Sequence, residues 1–427
     1  MDTIFALATA QGRAGVSVIR ISGPDAFVCA TRLCGSLPVP RQAALRGLKD
    51  SQGELLDQAL VLAFSGPHSF TGEDVVEFHV HGSIAVVSAV LRCLGEGPSR
   101  MAEPGEFTRR ALENDKMDLT QVESLGDLIA SETEGQRRQA LRVLDGALGK
   151  RIEAWRASLI RAASLIEVTI DFADEEVPVD VSAEVMSLLD AVFEEVRMEL
   201  DGFAAAERVR TGFEIAIVGP PNAGKSTLLN ALAKREAAIT SERAGTTRDV
   251  IEVRMDLSGY AVTLLDTAGL RDGKDEIEAV GIERAMERAE AADLRVFLVE
   301  PGEVLPVQVK PNDICVAPKA DIRSDKSFAV SGQTGQGIAL LTDRIAETLV
   351  SMTASAGLAT HARHRDAMSA SLAALQVAQN SVGRGPDQYD IAAEEVRSAI
   401  RSLEALVGHI GVENLLDEIF SSFCLGK

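Results

Sequence analysis

Aromatic residues are scarce in this chain: one Trp, two Tyr and fourteen Phe make up 4% of 427 residues. Its cores must therefore be built from Leu, Val, Ile and Ala. No apolar run approaches the ~18 residues needed to cross a bilayer as a helix, so no membrane partner is expected. Met1-Asp2-Thr3-Ile4-Phe5 has no basic segment ahead of its apolar residues, which argues against a signal peptide. The five cysteines (Cys29, Cys34, Cys93, Cys315 and Cys424) are scattered, odd in number and form no C-x-x-C pair. That argues against a disulfide framework and a cysteine zinc site, and a cytoplasmic protein is expected. Positive charge is also in deficit. Lys and Arg number 43 against 64 Asp and Glu, for a net charge of −21. Bulk electrostatics therefore do not favour a polyanion.

The hydrophobic content of 46% is ordinary for globular protein, and the length suits about two to four domains. Charge is unevenly spread. Arg137, Arg138, Arg142, Lys150, Arg151, Arg156 and Arg161 meet only Asp145 and Glu153 in their stretch. From Asp171 to Glu207 twelve acidic residues accompany one basic residue, Arg197. Either the basic stripe meets a polyanion or the two helical faces complement each other.

Residues from Thr3 to about Asp115 alternate like strands and short helices. Val16–Ile21, Ala59–Phe64 and Val75–Val80 read as strands and Ile84–Leu94 as a helix, giving a small α/β domain. His79 and His81 share a strand face, but no third metal ligand is in sight, which favours packing or hydrogen bonding. From Lys116 the pattern turns helical. Leu141, Leu144, Leu148, Ile152, Trp155 and Leu159 recur at three- and four-residue steps, as on one buried helix face. A second helix carries Leu189, Val192, Phe193, Val196 and Leu200. Helical periodicity resumes near Arg365 with Leu372 and Leu375, then Val396, Ile400, Leu403, Val407 and Ile410. Two helical blocks around a different pattern suggest one bundle with a domain inserted in a loop.

That insertion carries the chemistry. Phe213–Val218 reads as a buried strand, Gly219-Pro220-Pro221-Asn222-Ala223-Gly224-Lys225-Ser226 as a G-x-x-x-x-G-K-[ST] loop, and Thr227 onward as a helix. In that context the loop cradles phosphate with successive N–H groups and a helix N-terminus. Lys225 would reach the β/γ-phosphates and Ser226 would bind Mg²⁺. Ala244-Gly245-Thr246-Thr247-Arg248-Asp249 precedes a strand from Val250 to Met255, and Thr247 can supply a second Mg²⁺ ligand. The strand Ala261–Leu265 ends in Asp266-Thr267-Ala268-Gly269, where Asp266 orients metal water and the Gly269 N–H senses the γ-phosphate. A helix from Gly281 to Ala291 and strands at Arg295–Val299 and Ile314–Ala317 complete a mostly parallel sheet. In Pro318-Lys319-Ala320-Asp321, Asp321 can accept two hydrogen bonds from guanine, and Ser331-Gly332 fits the loop that meets the base oxygen.

This ordered set resembles a translation-factor-class GTPase, with three departures. The guanine motif is usually Asn-Lys-x-Asp, so Pro318 removes an amide that ties loops together. This keeps an ATPase reading open. Only about fourteen residues separate Val299 from Ile314, near the minimum for a helical crossover, and Pro301, Pro306 and Pro311 disfavour a full helix there. Leu270 stands where a Gln often orients water, so the hydrolytic catalyst must come from elsewhere.

Over nearly its whole length the chain resembles the tRNA modification GTPase MnmE (TrmE) family. The likeness rests on Asp2-Thr3-Ile4 through Gly12-Arg13, Thr71-Gly72-Glu73-Asp74, Pro104-Gly105-Glu106-Phe107-Thr108 and Asn114-Asp115-Lys116-Met117-Asp118-Leu119. It continues through Gly245–Asp249, Asp266–Arg271 and the terminal Phe423-Cys424-Leu425-Gly426-Lys427. The fold implied is multidomain, mixing α/β and all-α parts. It has an N-terminal folate-binding and dimerisation domain (1–115), a discontinuous helical bundle (116–210 and 351–427) and an inserted P-loop GTPase domain (211–350).

The resemblance also implies a K⁺ ion held by Asn222 with backbone from Ser241, Arg243 and Thr246, and Glu278 as the residue that orients water. GTP contacts would run through Asn222–Thr227, Ser241, Glu242, Arg243, Ala244, Gly245, Thr246, Thr247, Asp266, Thr267, Ala268, Gly269, Lys319 and Asp321. Arg20, Glu77, Lys116 and Lys427 would touch a 5-formyl or methylene tetrahydrofolate, with Glu73 a rival for Glu77. Cys424 is either catalytic or a small buried residue. The reaction implied modifies carbon 5 of the wobble uridine of certain tRNAs, adding an aminomethyl or carboxymethylaminomethyl group. The partners implied are a second copy of this chain and an FAD-binding MnmG (GidA)-type protein in a heterotetramer. A GTPase switch or ribosome-assembly factor without its own modification chemistry is the alternative.

Overall fold

The computed structural model describes residues 2–171, 181–220, 222–235, 252–266, 287–300, 302, 308–324, 328–408, 419–420, 423 and 426, with Asp266 described for its backbone alone. Contacts divide the chain into two compact units, Met1–Gly126 with Glu404–Lys427, and Asp127–Leu403.

The first unit is built on a six-stranded sheet. Its elements are β1 (Thr3–Leu7), β2 (Ala14–Ser22), α1 (Ala26–Cys34), β3 (Ala44–Lys49), β4 (Leu55–Phe64), β5 (Val75–Gly82), α2 (Ile84–Gly95), β6 (Ser99–Met101) and α3 (Glu106–Glu113), followed by the start of α4 (Leu119–Ala130). The order is β3-β4-β5-β2-β1-β6, antiparallel except where β1 meets β6. Period-two alternation sorts the side chains. Ile19, Ile21, Val61, Ala63, Val76 and Phe78 face one way and pack with Ala26, Cys29, Leu33, Val90 and Leu94 of α1 and α2. The other face carries Val18, Arg20, Glu77 and His79, with Arg20 directly opposite Glu77. The three strands and the helix expected here are present. β1, β3, β6, α1 and α3 join them, each too short for periodicity to reveal.

His81 Nδ1 lies 2.7 Å from Asp57 Oδ1, and His79 Nε2 lies 3.4 Å from Glu77 Oε2. Among the described residues no cluster of His, Cys, Asp or Glu could hold a metal.

The second unit holds the helices α5 (Glu134–Leu144), α6 (Ala147–Asp171), α7 (Ser182–Asp201) and α8 (Phe203–Thr211), then the second sheet, and finally α11 (Ala362–Gly383) and most of α12 (Tyr389–Val407), up to Leu403. Thr133 caps α5 reciprocally with Gln136. The stripe read as one helix face is two helices. Gly146, at φ 80°, turns the chain between them, and Leu141 is 38% exposed while Ala140 and Val143 face inward. From Leu148 to Leu159 the stripe is buried as expected. α7 packs on both α6 and α11, so helices from either side of the second sheet share one core. The basic stripe is largely neutralised. Arg137 and Arg138 pair with Glu134, Arg156 with Glu153, and Arg151 and Arg161 reach Glu199 and Glu184 on α7.

The sheet of this unit comprises β7 (Phe213–Val218), β8 (Glu252–Leu257), β9 (Tyr260–Asp266), β10 (Leu294–Leu298) and β11 (Ile314–Val316), in the order β11-β10-β7-β9-β8. All neighbours are parallel except β8 and β9. Helices α9 (Lys225–Arg235) and α10 (Ile338–Thr353) contribute Leu228, Leu232, Leu341 and Ile345 to its core. Residues 287–291 are helical, within the segment expected to be. β10 and β11 pair in parallel despite the short connection, most of whose middle lies outside the described residues. A buried ion pair, Arg295–Asp313, joins them. Among the described residues no helix is long and apolar enough to cross a membrane.

Candidate functional site

Because β7, β9, β10 and β11 run parallel, their carboxyl ends share one edge. There lie Gly219, Asp266, Val299 and Pro318-Lys319, as ligand sites of open α/β sheets do. Gly219 passes so near β10 that a Cβ would stand 2.6 Å from the Leu298 carbonyl oxygen. The loop then turns through two left-handed residues, Asn222 (φ 61°) and Gly224 (φ 94°). A non-glycine residue in that region is uncommon, and Asn is among the best suited to it. α9 opens with Lys225, Ser226 and Thr227, and the first turn of a helix is where an anion can be bound. Lys225 is 7% exposed, and its Nζ donates to the carbonyl oxygens of Gly219 (2.7 Å) and Pro220 (3.0 Å). The ammonium is therefore held at the rim of the loop.

The base-side loops follow β11. Lys319 is left-handed (φ 57°) and Asp321 sits in a short 3-10 turn, Ala320–Ile322. Ser331 is buried, its N–H donates to Gln336 O (2.9 Å), and its Oγ accepts the Thr334 N–H (3.2 Å). A groove of about 540 Å³ opens between α9 and this loop, lined in part by Thr227, Asn230, Lys234, Gly332 and Thr334. Asn222, Ala223, Gly224, Lys225, Ser226, Thr227, Lys319, Asp321 and the Asp266 backbone thus belong to one edge. Ser241, Glu242, Arg243, Ala244, Gly245, Thr246, Thr247, Thr267, Ala268, Gly269, Glu278, Cys424 and Lys427 lie outside the described residues.

In the first unit the Arg20 guanidinium sits 2.9 Å from Glu77 Oε1, and its Cζ lies 5.1 and 5.7 Å from the ring centroids of Phe70 and Phe107. A cation flanked by two rings and one carboxylate can present N–H groups to an acid while the rings offer stacking area. Lys116 runs beside Gly72, where a Cβ would come within 3.0 Å of its Cε. Glu73, the rival for Glu77, is already engaged by Ser22 Oγ (2.7 Å) and Arg110 (3.1 Å).

Arg110 is the buried residue that sequence reasoning missed. It also bonds Asp2 (2.9 Å) and Glu106 (3.0 Å). Burial pushes the Glu106 carboxyl up, but the Arg100 guanidinium, the Glu103 N–H and Arg110 outweigh it and hold it below the usual carboxylate range. Its signal was the i, i+4 spacing of Glu106 and Arg110; the link to Asp2 and Glu73 had none. Further along the first unit, Gly426 (φ 91°) lies against the end of β1, where a Cβ would stand 2.0 Å from Leu7 O.

Two family models match: the GTP-binding protein TrmE N-terminus over residues 3–116 and the MnmE helical domain over residues 119–424. The chain is 63% identical to the tRNA modification GTPase MnmE of Roseobacter denitrificans and 62% identical to that of Ruegeria pomeroyi, covering 100% of both chains in each case. Among solved structures it is similar to an Aquifex aeolicus Era variant bound to GDP.AlF4-, with 26% identity, 32% of this chain and 56% of that chain covered, and a TM-score of 0.26. Full-length identity with both domain models matched means that this chain belongs to the MnmE family of GTPases that act in tRNA modification.

Proposed function

We propose that this GTPase serves modification of carbon 5 of the wobble uridine in certain tRNAs, adding an aminomethyl or carboxymethylaminomethyl group together with an FAD-binding MnmG-type partner. A tetrahydrofolate, in its 5-formyl or methylene form, supplies the one-carbon unit. Arg20, Glu77, Lys116 and Lys427 bind it. The observation that carries this reading is the position of Gly426. It lies at Leu7, and in the β1–β2 register Leu7 is one step from Ala6, which pairs with Arg20. Gly426, the neighbour of Lys427, is therefore carried to the sheet that bears Arg20 and Glu77. The Arg20 pair and the rings of Phe70 and Phe107 fit an acidic tail and a flat heterocycle in chemistry.

In the second unit Ser226 and Thr247 hold Mg²⁺, with Asp266 orienting its water. Asn222, with backbone from Ser241, Arg243 and Thr246, holds K⁺. The left-handed Asn222 suits a loop that must turn its side chain toward a bound group. A cation held by those residues would supply positive charge against the charge that develops in the reaction, and Glu278 would orient the attacking water. The N-terminal domain (1–115) pairs two copies of the chain, the helical domain (116–210 and 351–427) carries the G domain (211–350), and the protein works in the cytoplasm.

The test compares wobble uridine in tRNA from cells with and without this protein, and with Lys427 deleted. The modified base should vanish without the chain. Deletion of Lys427 should weaken folate binding and leave GTP hydrolysis intact. Unchanged modification in cells lacking the protein would refute the reading and favour a GTPase switch without chemistry of its own.

A further inference from the structure

Lys116 follows α3, is exposed, and has no hydrogen-bond or ion-pair partner among the described residues. The charges that tie α3 to the sheet, by contrast, are paired. Arg110 holds Asp2, Glu73 and Glu106, and Arg100 holds Asp2 and Glu106. A lysine is a point charge on a flexible stem, so it reads an anion well only where that stem is laid along something fixed. We propose that Glu73, locked by Arg110 and Ser22, is the positioning residue for Lys116: it fixes the turn along which the Lys116 stem runs, and so governs how the site takes the acidic tail of a folate. The proposal rests on the folate reading of Arg20, Glu77 and Lys116, and it removes Glu73 from the ligand set.

An ionised carboxylate only accepts, so the direction of the bonds around Glu73 is fixed. Ser22 Oγ donates its one proton to Glu73 Oε2 at 2.7 Å. Ser22 Oγ and Thr71 Oγ1 also lie 2.7 Å apart, so the Thr71 hydroxyl is the donor there. Thr71 Oγ1 in turn accepts the Glu73 N–H at 3.3 Å. Arg110 Nη1 reaches both Glu73 oxygens at 3.1 Å. Ser22 and Thr71 are fully buried, and Ser22 lies on β2 beyond Arg20, so these bonds hold the turn to the strand that carries the site. Arg110 is itself clamped. Its Nη1 donates to Asp2 O (2.7 Å), and its Nη2 to Asp2 Oδ1 (2.9 Å) and Glu106 Oε1 (3.0 Å). It cannot follow Glu73 if the turn shifts.

Lys116 is rooted in the same helix. Its N–H donates to Ala111 O (2.8 Å), next to Arg110, and Asn114 Nδ2 donates to Thr71 O (2.7 Å). Gly72, left-handed at φ 80°, lies between turn and lysine. A Cβ there would stand 2.9 Å from Asn114 Cβ and 3.0 Å from Lys116 Cε. The turn therefore lies directly against the lysine stem, and α3 is the frame for both. Glutamine at 73 would keep the shape and break the lock. Because Arg110 touches both oxygens, the NH2 of an amide would face a donor in either orientation.

The experiment is calorimetric titration of the full chain with 5-formyltetrahydrofolate and with 5-formyltetrahydropteroate, the same ring system without the glutamate tail. Wild type should bind the tailed ligand about fivefold more tightly, the worth of a solvent-facing ion pair. Glu73→Gln should lose most of that preference while binding the tailless ligand within twofold of wild type, which also shows that the variant folds. Lys116→Met should do the same. The two substitutions together should cost no more than either alone, since both act on one contact. Equal weakening of both ligands by Glu73→Gln, or additive losses in the double variant, would overturn the proposal. So would a wild-type chain that binds the two ligands equally, because Lys116 would then read no tail. Should Glu73→Gln fail to fold, Ser22→Ala carries the test. A lost preference with tailless binding kept supports the proposal, and an unchanged preference or an equal loss in both ligands overturns it. A wild-type chain that binds neither ligand would overturn the folate reading itself. A wild-type preference that Glu73→Gln leaves intact overturns only the role of Glu73.

Discussion

Arg295→Met should loosen the nucleotide-binding sheet far more than an ordinary charge substitution. The Arg295 and Asp313 side chains are 3% and 2% exposed. Arg295 Nε and Nη2 reach the two Asp313 oxygens at 3.0 and 2.5 Å, Nη2 also donates to Gln308 O at 2.8 Å, and the guanidinium lies 5.2 Å from the Phe297 ring centroid. Truncating one partner strands a buried carboxylate, which costs about 3–5 kcal/mol. The remaining Lys310 N–H to Asp313 (2.6 Å) offsets part of that, so we expect the lower end. Taking the pair away altogether is a different perturbation. Arg295→Met with Asp313→Leu replaces two buried charges by apolar groups and should recover most of the loss, because such replacements are often neutral or better. Hydrogen exchange of the β10 amides at Val296 and Phe297, measured in the full chain, reads this directly. At ~1.4 kcal/mol per decade, a 3 kcal/mol loss speeds exchange by about two powers of ten, provided the amides exchange by opening of the sheet. If the single substitution leaves exchange within threefold of wild type, or the double variant exchanges faster than the single, the account of a buried pair that holds the short β10–β11 connection is wrong.

Three further outcomes are expected. GTP hydrolysis should be stimulated by K⁺ and not by Na⁺, and Asn222→Ala should remove the stimulation; equal rates in the two salts would dismiss the ion. Glu199 accepts the backbone N–H groups of Leu358 and Ala359 as well as the Arg151 guanidinium while 2% exposed, so Glu199→Ala leaves buried donors orphaned. About 2–5 kcal/mol should be lost from the melting of the helical part, with Glu199→Gln much milder because it keeps an acceptor. At Asp57, burial pushes the carboxyl up, but the backbone N–H and imidazole of His81 outweigh it and hold the group below the usual range. A depressed carboxyl contributes stability above its unfolded pKa of about 3.9 and loses it as pH falls through the folded value. The melting gap between wild type and Asp57→Asn should therefore be full at pH 6 and close below about pH 4; a gap that widens in acid would contradict the pairing.

The phosphate loop, the Asp266 strand end and the segment at Lys319 and Asp321 were legible in the chain because their chemistry depends on residue order along it. Glycines, a lysine and a hydroxyl must follow one another at fixed steps to wrap a phosphate, and parallel strands then gather their carboxyl ends by topology. Strands β2, β5 and β7 were legible for a related reason: alternation and a continuous apolar run are local properties. The break at Gly146 was not. The apolar spacing runs through it nearly in phase, and only the left-handed turn shows that Leu141 faces outward. Nor was the fate of the basic stripe, since Glu184 and Glu199 sit on another helix and distance along the chain says nothing of their reach. Arg110 drew no notice in the sequence, and only folding sets it among Asp2, Glu73 and Glu106. Gly332 read as part of the loop that meets the base oxygen, and the fold adds that helix backbone stands where its side chain would be. By itself the sequence determined which chemical groups this protein carries and in what order. The tertiary structure decided which of them are paired, buried or pressed together, because those properties depend on distances between residues far apart in the chain.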